Sequence, residues 1–84
     1  MKIVFTDHAS DKFSVLRKHN CKIDKESVLK AVKDPEKVVP GKHYRLIAQK
    51  ALDEEHLLRV IYEDKGKEWV IITFYPARRE RYED

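Results

Sequence analysis

Apolar residues recur at two different spacings along this chain, and the change falls near residue 42. In the first half they stand three and four apart, as on one face of a helix. Ala9, Phe13 and Leu16 form such a stripe, with Asp7 placed to cap the helix and His19-Asn20 to end it. Val28, Leu29 and Val32 form a second inward stripe, with Asp24 as its N-cap. Ile23 and Val28 have the spacing of a hydrophobic staple. The second helix stops at Asp34-Pro35, because the residue before proline avoids the helical region. A short strand, Lys2 to Phe5, precedes both helices, and Pro40-Gly41 marks a turn after them.

Beyond that turn the apolar positions alternate. Residues 43–52 alternate loosely, and Asp53-Glu54-Glu55 makes a charged turn. Residues 56–63 are a strongly apolar strand, and Asp64-Lys65-Gly66-Lys67 is a hairpin loop with Gly66 available for positive φ. Residues 68–75 form the strongest strand, which Pro76 ends or places at an edge. Residues 77–84 read as a polar tail. The predicted order is β-α-α-β-β-β. Short loops join the last three strands into an antiparallel meander, and two helices cover only one face of such a sheet. The expected fold is therefore a single two-layer α+β domain, with two N-terminal helices packed on an antiparallel sheet.

Side chains on a strand point alternately to its two faces. The even positions Leu46, Ala48, Leu58, Val60, Val70, Ile72 and Phe74 are apolar and are expected to face the helices. The odd positions include Ile47, Ile61, Trp69 and Ile71, and they put Arg45, Gln49, Arg59, Thr73 and Tyr75 on the opposite, open face. A bulge would break this parity. Trp69 is expected in hairpin or core packing.

Eighty-four residues suffice for one domain. A lone cysteine, Cys21, rules out an internal disulfide. No apolar run approaches the length of a membrane span or a signal peptide, so the expected location is cytoplasmic. The net charge is +3, and its distribution carries more information than its size. Nine of the twelve lysines fall in residues 1–42, and five of the six arginines in residues 43–84. Arginine suits planar contact with phosphate or carboxylate, so its concentration points to a site in the second half. Strands that simply tolerate arginine would give the same distribution. Arg59 stands out because it interrupts Leu57-Leu58-Arg59-Val60-Ile61-Tyr62. A charge there needs solvent or a partner. It is either a solvent-facing arginine paired to a neighbour such as Glu63, or a phosphate-binding arginine on the open sheet face.

Several short motifs together carry a family resemblance. They are Thr6-Asp7-His8-Ala9, Ile23-Asp24, Asp34-Pro35-Glu36, Tyr44-Arg45, Leu58-Arg59-Val60-Ile61-Tyr62 and Val70-Ile71-Ile72-Thr73-Phe74-Tyr75. Over roughly residues 3–82 the chain resembles a small prokaryotic domain family similar to BrnT and, more distantly, to RelE-type toxins. The resemblance implies a RelE-like fold and a metal-independent endoribonuclease acting on mRNA, often at the ribosome. It also implies an antitoxin encoded beside the toxin. In that superfamily basic and aromatic side chains on the sheet face and near the C-terminus are active. The matching positions here are Arg45, Arg59, Tyr75, Arg78, Arg79, Arg81 and Tyr82, and His8 matches a recurring histidine.

The chemistry constrains the roles. RNA carries its own nucleophile, the 2′-OH, and cleavage needs proton transfer and stabilisation of phosphoryl charge. His8 is the natural proton-transfer group, since histidine titrates near neutrality. Arg59 and Arg78 would stabilise charge, and Tyr75 would stack on a base or donate a proton. Arg45, Arg79, Arg81 and Tyr82 would bind RNA. In the tail, Glu80, Glu83 and Asp84 offset its three arginines. His8, His19, His43 and His56 have no short metal-ligand spacing, so no metal or cofactor is expected. The lysines of the helices read mostly as a solvated surface. A rival reading is a non-catalytic RNA- or protein-binding module. Its open face, with Ile47, Ile61 and Ile71, would hold an antitoxin-like segment or a second copy. Monomer and homodimer both remain open.

Overall fold

Thr6, one residue earlier than the pattern indicates, begins the first helix in the computed structural model, which describes residues 2–82. Its Oγ1 accepts a hydrogen bond from the Ala9 N–H at 3.1 Å and donates one to the Ile72 carbonyl at 3.1 Å. One hydroxyl thus caps the helix and ties it to the sheet, while Asp7 stands in the first turn, near the positive end of the helix dipole. The elements are β1 (Lys2–Phe5), α1 (Asp7–Lys18), α2 (Lys25–Lys33), β2 (Lys37–Pro40), β3 (Leu46–Ala51), β4 (His56–Asp64) and β5 (Glu68–Arg78). A tight turn with His43 and Tyr44 at positive φ follows β2, and a single helical turn, Arg79–Arg81, follows β5. In α2, Asp24 caps as expected, accepting from Ser27 N–H at 2.8 Å. Its inward stripe is Val28, Ala31 and Val32, and Leu29 lies at the margin of that stripe, only half-buried.

The fold is α+β, but its sheet is mixed rather than antiparallel. The strand order is β1-β5-β4-β3-β2. β3, β4 and β5 form the expected antiparallel meander, and β1 lies parallel beside β5. β2 is a strand absent from the expected order, paired to β3 at one sheet edge. Its four residues are mostly exposed and end on Pro40, so they carry too little apolar alternation to stand out in the sequence. Pro76 does not end β5. It pairs opposite Leu58, and β1 reaches only as far as Ile71, so Pro76 stands where the other side of β5 is a free edge. The tail is likewise structured, through Arg78 in β5 and then the Arg79–Arg81 turn. Glu83 and Asp84 lie outside the described residues.

A bulge in β5 resets which side chains face the helices. Ile61 pairs with Thr73, but Tyr62 pairs with Ile71, leaving Ile72 as an extra residue. Val70 and Ile72 are therefore not the core residues of this strand, as the even-position rule had them. Ile71 is fully buried instead, and Trp69 packs on the same core, its ring 5.1 Å from Tyr62. One continuous core joins Ala9, Phe13 and Leu16 of α1, Val28, Ala31 and Val32 of α2, and Ala48, Leu58, Val60, Tyr62, Ile71 and Phe74 of the sheet. Both helices thus cover the same face.

The turns follow their residue chemistry. Gly66 takes φ +85° and its N–H meets Asp64 Oδ1 at 2.9 Å. Asp53 Oδ1 accepts from the N–H groups of Glu55 and His56 at 2.8 and 2.7 Å and lies 2.9 Å from His56 Nδ1. These bonds, the Glu55 N–H first, lower the Asp53 pKa from 3.8. A carboxyl whose folded pKa is depressed adds stability above its unfolded pKa and loses it as pH falls through the folded one. Asp53→Asn is therefore expected to flatten the fall in Tm below about pH 4, measured by thermal melts across the acid range.

Candidate functional site

The site grows from the strand register. Lys37 of β2 pairs with Gln49 of β3, Gln49 with Arg59 of β4, and Arg59 with Tyr75 of β5. Directly opposed residues share a face, so these four side chains form one row across the sheet on the side away from the helices. Arg59 is 8% exposed and Gln49 7%. The guanidinium is held by neutral acceptors: Nη1 donates to Gln49 Oε1 at 2.7 Å and Nε to the Tyr75 hydroxyl at 3.0 Å. The Tyr82 ring lies across it, 4.0 Å from Cζ to centroid. The surroundings expected of Arg59 therefore need correction on two points. It does not face solvent with Glu63 as partner, because Glu63 pairs with Arg45 at 3.2 Å. Nor is the face open above it, because the C-terminal turn returns over the sheet.

At the other end of the row, α1 reaches around the free edge of β5. His8 and Lys12 are four residues apart and so share one side of the helix. His8 Nε2 lies 3.1 Å from Thr73 Oγ1, and Lys12 Nζ donates to the same oxygen at 3.1 Å. Lys12 Nζ also lies 5.8 Å from the Tyr75 ring centroid and 6.0 Å from that of Phe74. Partial burial lowers the Lys12 pKa. Lys12 was not singled out among the lysines of the helices. The signal that could have found it is its spacing from His8 together with a parity that places Thr73 beside Tyr75.

Among the described residues, none of His8, Lys12, Lys37 and Arg59 forms an ion pair with a carboxylate. The ion pairs present use Arg45, Lys50, His56, Lys65 and Arg78. The row therefore offers uncompensated donors and positive charge, with a histidine at one end able to move a proton.

Not all the expected site residues join it. Arg59, Tyr75 and Tyr82 come together, and His8 meets the same strand at Thr73, two residues from Tyr75. Arg78 does not: three residues from Tyr75, it lies on the opposite side of β5, exposed, 3.7 Å from Glu80. Arg45 sits near the far end of β4 with Glu63. Arg79 anchors the C-terminal turn, its N–H donating to the Glu55 carbonyl at 2.9 Å and its Nε to the Asp53 carbonyl at 3.0 Å. Arg81 is exposed. Of the three isoleucines assigned to an open-face interface, Ile71 is in the core and only Ile47 and Ile61 remain, half-buried. Among the described residues no group of three or more His, Cys, Asp and Glu side chains gathers as a metal site, and no helix is long and apolar enough to cross a membrane. No protein-family model, curated protein or solved structure matches the chain.

Proposed function

We propose that this chain is an RNA-directed protein with a RelE/BrnT-like fold, acting as a metal-independent endoribonuclease on mRNA. The observation that carries the reading is the row of cations without carboxylate partners, Lys12 at one end with His8 beside it, Arg59 in the middle and Lys37 at the other. An anion is the complement such a row lacks, and a single strand of RNA supplies phosphates and bases together. The element order supports the fold assignment, with two helices followed by an antiparallel meander.

In the proposed reaction His8 removes the proton of a 2′-OH, whose oxygen attacks the adjacent phosphorus. The bond to the 5′ oxygen breaks, and that oxygen leaves with a proton from Tyr75 or water. The products carry a 2′,3′-cyclic phosphate and a 5′-hydroxyl. Lys12 and Arg59 hold the charge gathering on the phosphoryl oxygens. An antitoxin protein and ribosome-bound mRNA are the partners this reading proposes.

Lys12 gives the test. Lys12→Met is expected to weaken binding of a single-stranded RNA oligonucleotide and to reduce the slope of log affinity against log salt by about 0.7, the share of one phosphate contact on a single strand. It is not expected to lower stability, since burial already disfavours the charged amine. An unchanged salt slope would remove Lys12 from the site.

A second reading, a non-catalytic RNA- or protein-binding module on the same face, is favoured by the shallow depression that Ile47 and Ile61 line with Pro40, Gly41 and Arg45. It predicts RNA or a second chain bound and no RNA cut.

A further inference from the structure

Arg59 is the best-positioned cation on the sheet, yet an aromatic ring closes it. Tyr82 stacks on the guanidinium face at 4.0 Å, and Arg59 keeps only 8% of its surface exposed. Its two hydrogen bonds use Nε and Nη1, so the donors of Nη2 are engaged by neither. Neither of its two acceptors is a carboxylate, so neither brings a charge opposite to that of the guanidinium. An aromatic ring attracts such a group without neutralising it, so an anion that displaced the ring would supply the opposite charge the ring lacks.

Among the described residues, the cover is attached mainly through Arg79. Beyond β5 the chain makes a single turn at Arg79–Arg81, and that turn has no side-chain cap. Arg79 fixes its start to the β3–β4 loop through the Glu55 and Asp53 carbonyls, and the Tyr82 N–H donates to the Arg79 carbonyl at 3.0 Å. Tyr82 therefore stands three residues past its anchor. The face it occupies is the one a nucleobase would stack on if an RNA strand crossed the row.

We infer that Tyr82 and the C-terminal turn form a displaceable cover over Arg59, which an RNA strand must lift to reach the guanidinium. The inference rests on the RNA-directed reading for its ligand, while the cover itself is testable without RNA. Closed, Tyr82 holds the place of a stacked base and keeps the arginine from other anions. Open, the ring leaves Arg59, Tyr75 and Lys12 on one accessible surface.

The experiment is the rate at which phenylglyoxal modifies each arginine in the full chain, read by peptide mass spectrometry. Arg45, which lies away from the turn, is the internal reference. Tyr82→Ala is expected to raise modification at Arg59 roughly tenfold relative to Arg45. Tyr82→Phe, which keeps the ring, is expected to leave it as slow as in the unmodified chain, and Arg79→Ala to speed it by loosening the anchor. Equal rates at Arg59 in the unmodified chain and in Tyr82→Ala, with both folded by circular dichroism, would overturn the cover. Binding of a single-stranded RNA oligonucleotide to the same proteins forms the second arm. Tighter binding by Tyr82→Ala supports displacement. Weaker binding makes Tyr82 a contact for the RNA and overturns it. Faster modification without RNA binding by either protein would refute the RNA reading and leave a cover over Arg59 whose ligand is another anion.

Discussion

Arg59→Ala is expected to slow RNA cleavage by about 10²–10³-fold, the loss typical of removing one preorganised group that stabilises transition-state charge. Gln49 and Tyr75 fix the guanidinium from two sides, so on the proposed reading, once the Tyr82 ring is lifted, it meets charge on a phosphate without turning. Removing it also strands the Gln49 Oε1 and the Tyr75 hydroxyl, which costs about 1–3 kcal/mol of stability where such groups are buried. Rate and stability must therefore be measured together. Arg59→Lys restores a charge without the planar fork that meets Gln49 and Tyr75 at once, so it is expected to recover binding more than turnover. Arg78→Ala is the companion control. Arg78 stands about 17 Å along β5 from Thr73 and on the other side from Tyr75, and its loss is expected to change the rate by less than about twofold. Equal losses in Arg59→Ala and Arg78→Ala would put the reaction elsewhere than on the row.

Phe74→Ala is expected to destabilise the fold by about 3–5 kcal/mol, measured by urea denaturation. Phe74 is fully buried, lies opposite Val60 on β4, and its ring is 4.7 Å from that of Phe13, which is in turn 5.9 Å from Phe5. These rings join β1, α1 and β5, so a cavity at Phe74 has neighbours on three elements that cannot all close on it. Native domains keep only about 0.05–0.15 kcal/mol per residue, about 4–13 kcal/mol for 84 residues, so the loss is a large share of the margin. Val15→Ala, at a half-exposed position of α1, is expected to stay within about 0.5 kcal/mol. A loss under about 1 kcal/mol at Phe74 would contradict the core described here. The same substitution reaches the site, because Lys12 lies over the Phe74 ring and Tyr75 is its neighbour on β5.

Both helices and the meander were legible because each rests on local rules. Asp24 acts through a carboxylate that caps the turn next to it, Pro35 and Gly66 through their own backbones, and their places in the fold match the pattern. What escaped depends on partners distant in the chain. β2 is a strand only because β3 offers it an edge, and its four residues have no buried face to advertise. The bulge at Ile72 arises where β4 and β5 adjust to one another, and it exchanges Ile71 for Val70 and Ile72 in the core. In the candidate site, Arg59 and Tyr75 were visible as polar positions in apolar strands. Lys12 was not, since a lysine on a helix reads as solvated until the free edge of β5 brings Thr73 beneath it. The return of Tyr82 over Arg59 was equally hidden, because a polar tail carries no periodicity to say where it packs.

The most direct measurement is cleavage of a labelled single-stranded mRNA fragment in excess chelator, alone and on ribosomes, with the new ends identified. Metal-independent chemistry on the row would give cleavage that chelator does not stop, products ending in 2′,3′-cyclic phosphate and 5′-hydroxyl, and loss of both in Arg59→Ala. No cleavage in either setting, or ends of another chemistry that Arg59→Ala leaves unchanged, would contradict it.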